Sequence, residues 1–187
     1  MTEEEVQALG VMEVQTRCRD KYEMITRPDL GRLFSEDMQR KIQENCVHQP
    51  NVQIYFGDGL SAPAIPANAP IVFENVKKEL ESEGISVGTP FFVRYCRVNT
   101  ARTIGPLLNA KVVCVLIGER PGMLTDKSMS AYIAYRPHPD MLESEYTVVA
   151  NISRQGMPLE EASKKIVEII HNILHYSCSG VELAKKL

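Results

Sequence analysis

A chain of 187 residues that is 44% apolar, 24% charged and of formal net charge -3 can bury one sizeable core, and its charge is too balanced for a polyanion-binding surface. No apolar run approaches the roughly 20 residues of a membrane span. The acidic opening MTEEEVQALG lacks the basic region and cleavage site of a secretory signal. These features predict a cytoplasmic protein that binds neither nucleic acid nor membrane.

Residues 3–27 read as a short helix and then an irregular stretch, closed by Arg27-Pro28, because proline steers the residue before it out of the helical region. In DLGRLFSEDMQRKIQENC, the residues Leu30, Leu33, Phe34, Met38 and Ile42 recur three or four apart. That spacing predicts one amphipathic helix with Asp29 as its N-cap. Residues 1–46 are therefore expected to form a helical segment packed on a domain made by residues 47–187.

Within that domain Val52, Ile54 and Phe56 alternate with Gln53 and Tyr55, a strand that ends in the turn Gly57-Asp58-Gly59. A helix follows in PIVFENVKKELESEG, with Val72, Val76 and Leu80 on one face and Gly84 beyond its end. TPFFVRYCRV predicts a second strand, and NTARTIGPLLNA a short helix broken at Gly105-Pro106. The third strand, KVVCVLIGE, is continuously apolar, as expected of a strand buried on both faces.

SAYIAYR and YTVVANI read as two more strands. Leu159, Ala162, Ile166, Ile169, Ile170, Ile173 and Leu174 form the stripe of a last helix, with Pro158 near its first turn and Gly180 after it. VELAKKL reads as a terminal arm. Strands alternating with helices predict an α/β fold, a three-layer, mostly parallel Rossmann-like sheet with helices on both faces.

Ligands of such sheets bind beyond the carboxyl ends of the strands. Three loops qualify: Gly57 to Ser61, Arg94 to Asn99, and Gly118-Glu119-Arg120-Pro121-Gly122. Glu119 could accept hydrogen bonds from ligand amides, and Arg94, Arg97 or Arg120 could pair with a phosphate. Equally, Gly-Asp-Gly could be a turn in which Asp58 bonds its own backbone, and Glu119 with Arg120 a surface ion pair. Asp58 and Ser61 suggest a hydrolase only weakly, because no histidine base stands in a neighbouring motif.

The five cysteines form an odd set without a CxxC pair, the pattern of reduced, buried thiols. His171 and His175 stand at helical spacing without a carboxylate motif, so no metal site is expected.

TRPDLGRLFSED, DGLSA, GISVGTPFFVRYCRV, LNAKVVCVLIGERPG, SMSAYIAYRP and SGVEL, in this order and spacing, resemble the small (light) subunit of adenosylcobalamin-dependent ethanolamine ammonia-lyase over about residues 9 to 187. The resemblance implies an obligate subunit of a carbon–nitrogen lyase, without catalytic residues of its own. It would close the cobalamin site against a large TIM-barrel subunit that converts ethanolamine to acetaldehyde and ammonia. It also implies a hetero-oligomer inside a bacterial microcompartment and cofactor contacts at Val98 and Glu119. The third family contact is a cysteine, and Val148 occupies its position here. No DxHxxG sequence is present, so base-on cofactor binding is the compatible mode. The rival expectation is a stand-alone α/β module carrying cobalamin or a nucleotide without chemistry.

Overall fold

In the computed structural model, which describes residues 1–187, the strands are Met12–Gln15 (β1), Val52–Gly57 (β2), Phe91–Arg94 (β3), Val112–Gly118 (β4), Met129–Tyr135 (β5) and Thr147–Ile152 (β6). They form one sheet in the order β1-β3-β2-β4-β5-β6. The first four run parallel, whereas β5 pairs antiparallel with β4 and with β6. The sheet is therefore mixed, parallel through β4 and antiparallel beyond it, where a mostly parallel Rossmann-like sheet was expected. Chain length explains it: residues 119–128 and 136–146 carry no α-helix, and a parallel crossover needs a dozen or more residues, usually helical.

Helices Glu3–Ala8 (α1), Lys21–Thr26 (α2), Glu36–Asn45 (α3), Ala64–Ser82 (α4), Ala101–Leu108 (α5), Leu159–Tyr176 (α6) and Gly180–Ala184 (α7) surround the sheet. Ile54, Phe56, Cys114 and Leu116 meet Val72, Leu80, Ile166 and Ile170 of α4 and α6 in one core. Tyr55, Val113, Val115 and Ile117 meet Ile42, Ile104 and Leu108 of α3 and α5 in the other. The unbroken apolar run of β4 thus serves two cores, as its composition predicts, and helices lie on both faces.

Five local expectations differ from the structure. The irregular stretch contains β1, an edge strand whose Val14 turns inward between half-exposed Glu13 and Gln15, too short a pattern to stand out. The helix expected from Asp29 splits into a 3-10 turn, Leu30–Arg32, and α3, because Ser35 caps the latter by accepting from the Met38 N–H at 3.3 Å. Asp29 instead pairs with Arg27 at 2.8 Å.

Helix α4 begins at Ala64, ahead of the apolar stripe, and runs through Pro70, while α5 runs unbroken through Gly105-Pro106. Only Pro66 of α4 lies in a first turn, where N–H groups have no partners in the helix; Pro70 and Pro106 lie past it, and each gives up one backbone hydrogen bond inside a helix that packing against the sheet holds in place. The terminal arm is largely α7, docked by the buried side chain of Leu183.

From β2, α4 leads outward to β3 across one face. From β3, α5 returns across the opposite face to β4, on the other side of β2. Connections diverge between β2 and β4, and a crevice opens at their carboxyl ends.

Candidate functional site at the strand carboxyl ends

That crevice holds a concavity of about 240 Å³ lined by Gly59, Leu60, Cys96, Arg97, Val98, Ile117, Gly118, Glu119, Arg120 and Tyr132. All three loops singled out in the sequence converge on it.

Backbone contacts close its floor. The Leu60 N–H donates to the Gly118 carbonyl at 2.9 Å. Gly59 adopts φ +51°, and a Cβ there would run into Gly118, so glycine meets both a conformational and a spatial requirement. Lys21 on α2 donates to the Gly59 carbonyl. The buried carboxylate of Asp58 accepts from the Tyr95 N–H at 3.0 Å and the Cys96 N–H at 2.8 Å. Asp58 thus fastens the loop after β2 to the loop after β3, rather than bonding its own turn. Burial pushes its carboxyl up, and the two N–H bonds and nearby Lys21 only partly counter that.

Ser61 is buried and donates to the Asp126 carbonyl. Its hydroxyl is a loop tether with no histidine beside it, and the hydrolase reading gains nothing.

Val98 opens the 3-10 turn Val98–Thr100 ahead of α5. Two bonds fix this turn from outside: Asn99 Nδ2 donates to Glu143 at 3.1 Å, and Arg102 Nη2 donates to the same oxygen at 3.0 Å. Arg97 spends its guanidinium on the Met24 carbonyl, at 3.1 and 2.7 Å. Arg94 is paired with Glu13 and donates to the Met1 carbonyl. Of the three arginines considered for an anion, Arg120 is the one left exposed and without a carboxylate partner.

Glu119 does not pair with Arg120. Its carboxylate accepts from the hydroxyls of Ser128 and Ser130 and from the Asn151 N–H at 3.2 Å. Burial alone would raise its pKa, but these three donors outweigh burial and hold the carboxyl below its usual range. Having about four lone-pair sites, an ionised carboxylate so engaged retains about one for a ligand.

Val148 lies outside the concavity lining, yet it stands directly opposite Tyr132 in the β5–β6 ladder. Directly opposed residues share a face. The Val148 side is 41% exposed, and the Tyr132 ring packs edge-on against Tyr146 with centroids 6.0 Å apart. The structure therefore brings Val98 and Glu119 to one hollow and leaves Val148 next to it, with Tyr132 between.

No group of three or more metal-ligating side chains occurs, and His171 lies against Glu83 at 2.8 Å on the far side of the sheet. All five cysteines are free, and burial raises the Cys46 thiol to about 11 and the Cys114 thiol to about 12. No helix is long and apolar enough to cross a membrane.

Residues 1–184 match the family of the ethanolamine ammonia-lyase light chain (EutC). The chain belongs to this family. It is 49% identical to the ethanolamine ammonia-lyase small subunit of Clostridium acetobutylicum over 178 residues, which are 95% of this chain and 74% of that one. Identity to the small subunit of Listeria monocytogenes is 43%, and to that of Fusobacterium nucleatum 44%, each over 98% of this chain and 62% of the relative. The chain thus spans less than two thirds of the length of these latter two.

For a light-chain family member, local sequence reading missed the parts that hold Glu119. Ser128, Ser130 and Tyr132 line one face of the strand at two-residue spacing, alternating with Met129, Ala131 and Ile133 of the α4–α6 core. That alternation of polar with apolar residues was the available signal. The role of Asp58 had no such signal, since its partners lie 37 and 38 residues away.

Proposed function

We propose that this chain is the small subunit of an ethanolamine ammonia-lyase and that it closes an adenosylcobalamin site at the interface with the catalytic large subunit. The observation that carries the reading is that Val98 and Glu119 line one crevice at the strand carboxyl ends, with Val148 beside it across the ladder from Tyr132, in a member of the light-chain family.

The side chains suit such a cofactor. Val98, Val148 and the Tyr132 ring offer apolar surface to a macrocycle, and Glu119 has an acceptor position for an amide N–H at its rim. A hollow of about 240 Å³ is below the roughly 300–1,000 Å³ of pockets that enclose a drug-sized ligand. Its size favours one wall of a shared site over a stand-alone carrier.

When bound, the cofactor supplies homolysis of its cobalt–carbon bond, the step that begins conversion of ethanolamine to acetaldehyde and ammonia. The work of this chain is to seat the macrocycle, hold its rim and keep water out, with base-on binding the compatible mode. No catalytic or metal-ligating residue is assigned to it. In this reading the Rossmann-like part, residues 47–187, makes the cofactor contacts and residues 1–46 support it. The hetero-oligomer would reside in the cytoplasm within a bacterial microcompartment.

The test is ammonia release from ethanolamine with adenosylcobalamin by the large subunit alone, this chain alone and the two mixed. Activity confined to the mixture is expected. Full activity of the large subunit without this chain would overturn the proposal.

A further inference from the structure

Tyr132 is the one aromatic side chain lining the concavity. Its strand neighbours on the same face are Ser130, which is spent on Glu119, and buried Ala134. Across the ladder stands Val148, half-open to solvent. The other helices of this face pack elsewhere, α5 on β4 and α3 on β1. The ring's edge-on contact with Tyr146 fixes its tilt, so the tyrosine is a braced plate at the border between a hollow and an open strip of sheet.

Donors are few on the sheet side of the hollow. Glu119 can only accept, Val98 and Val148 can do neither, Arg97 is committed to the Met24 carbonyl, and Arg120, the other free donor of the lining, sits on the exposed loop beyond Glu119 and not on the sheet. A peripheral carboxamide of a macrocycle needs an acceptor for its N–H groups and a donor for its carbonyl. The Tyr132 phenol, raised in pKa by burial and then by the charge of Glu119, stays protonated. It is a donor beside an acceptor.

We propose that Tyr132 is a further cofactor-contact residue: its ring forms the plate between Val98 and Val148 on which the macrocycle rests, and its hydroxyl donates to the carbonyl of an amide whose N–H reaches Glu119. This rests on the cobalamin-wall reading above and adds to it a contact that the family resemblance does not assign.

The experiment is a titration of the assembled two-subunit complex with adenosylcobalamin, read by the cofactor's visible absorbance, for wild type, Tyr132→Phe and Tyr132→Ala. Subunit association is measured by sedimentation on the same samples. Loss of one neutral hydrogen bond in Tyr132→Phe should weaken binding about 2- to 10-fold. Loss of the ring as well in Tyr132→Ala should weaken it at least about 10-fold, with association retained. Unchanged affinity of both variants, in complexes that assemble, overturns the Tyr132 assignment while leaving the cobalamin-wall reading in place. If wild-type affinity does not depend on this chain at all, that reading fails and the assignment with it. Should Tyr132→Ala fail to assemble, Tyr132→Phe, which keeps the ring, decides: affinity equal to wild type rejects the hydroxyl contact.

Discussion

Leu60 and Gly118 are joined backbone to backbone, the N–H of one donating to the carbonyl of the other at 2.9 Å. The loop after β2 and the tip of β4 therefore meet without an intervening side chain. A Cβ on Gly118 would collide with the carbonyl oxygens of Ser61 and Asp58. Neither is a flexible side-chain end that could swing away. Gly118→Ala should cost about 1–3 kcal/mol through overpacking and splay the crevice. Gly122→Ala in the same loop, where the nearest atom is the Thr125 oxygen at 3.9 Å, should stay within about 0.5 kcal/mol. Urea unfolding of the two variants checks the contrast, and equal losses would show that the collision is relieved.

Asp58 holds two N–H groups, those of Tyr95 and Cys96, with a carboxylate that burial makes reluctant to ionise. Because its folded pKa lies above the unfolded one, ionisation opposes folding at neutral pH, and that opposition fades as pH falls through the raised value. Asp58→Asn keeps one acceptor oxygen and sheds the charge, and should change stability at pH 7 by less than about 1 kcal/mol. Asp58→Ala strands both N–H groups and should cost about 2–4 kcal/mol. Denaturant titration of the two variants gives the comparison, and a Asp58→Ala cost no larger than that of Asp58→Asn would mean water replaces the clamp.

Glu119 behaves in the opposite sense. Its folded carboxyl titrates below the unfolded one, so the stability it contributes is complete above the ordinary carboxylate range and is lost as pH falls through the depressed folded value. Glu119→Gln should therefore be less stable than wild type by about 1–2 kcal/mol at neutral pH, the partly open site discounting the charged bonds. The gap should close in acid. Stability curves measured across that range test this, and a gap constant with pH would mean that the lost bonds do not depend on charge. Glu119→Ala should weaken cofactor binding in the complex while subunit association persists, because the loop loses its anchor to Ser128, Ser130 and Asn151.

The two-core burial of β4 was legible because a strand packed on both sides has little room for polar residues, and KVVCVLIGE has none between Val112 and Ile117. The three crevice loops were legible for a related reason: glycines mark where backbone approaches backbone. Strand β1 was not, since four residues with one buried side chain carry too little periodicity. The direction of β5 turns on residues 119–128, which form no helical crossover, and not on any residue of the strand itself. Glu119 could be singled out from its place at the strand tip, but its carboxylate environment could not. Its donors come from β5 and β6, and only folding determines that they meet. The fate of Arg94 and Arg97 was likewise hidden, because Glu13 and the Met24 carbonyl belong to a segment read as helical and accessory.

Val148 offers the sharpest test of the proposed cofactor contact in this chain. Its side chain is 41% exposed beside Tyr132 and contributes to neither core cluster. Replacements there should change stability by less than about 1 kcal/mol, the span of strand propensity. If its role is to pack against the cofactor, Val148→Cys, the residue type that the family resemblance implies there, should leave adenosylcobalamin affinity within about 2-fold, since a thiol packs as a small hydrophobe. Val148→Asp must desolvate a carboxylate when the site closes, and should weaken binding at least about 10-fold. Cofactor titrations of both variants in the assembled complex separate two mechanisms. A large gain in affinity for Val148→Cys would mean that the thiol itself makes a bond valine cannot. No loss for Val148→Asp would place this edge of the sheet outside the cofactor's reach.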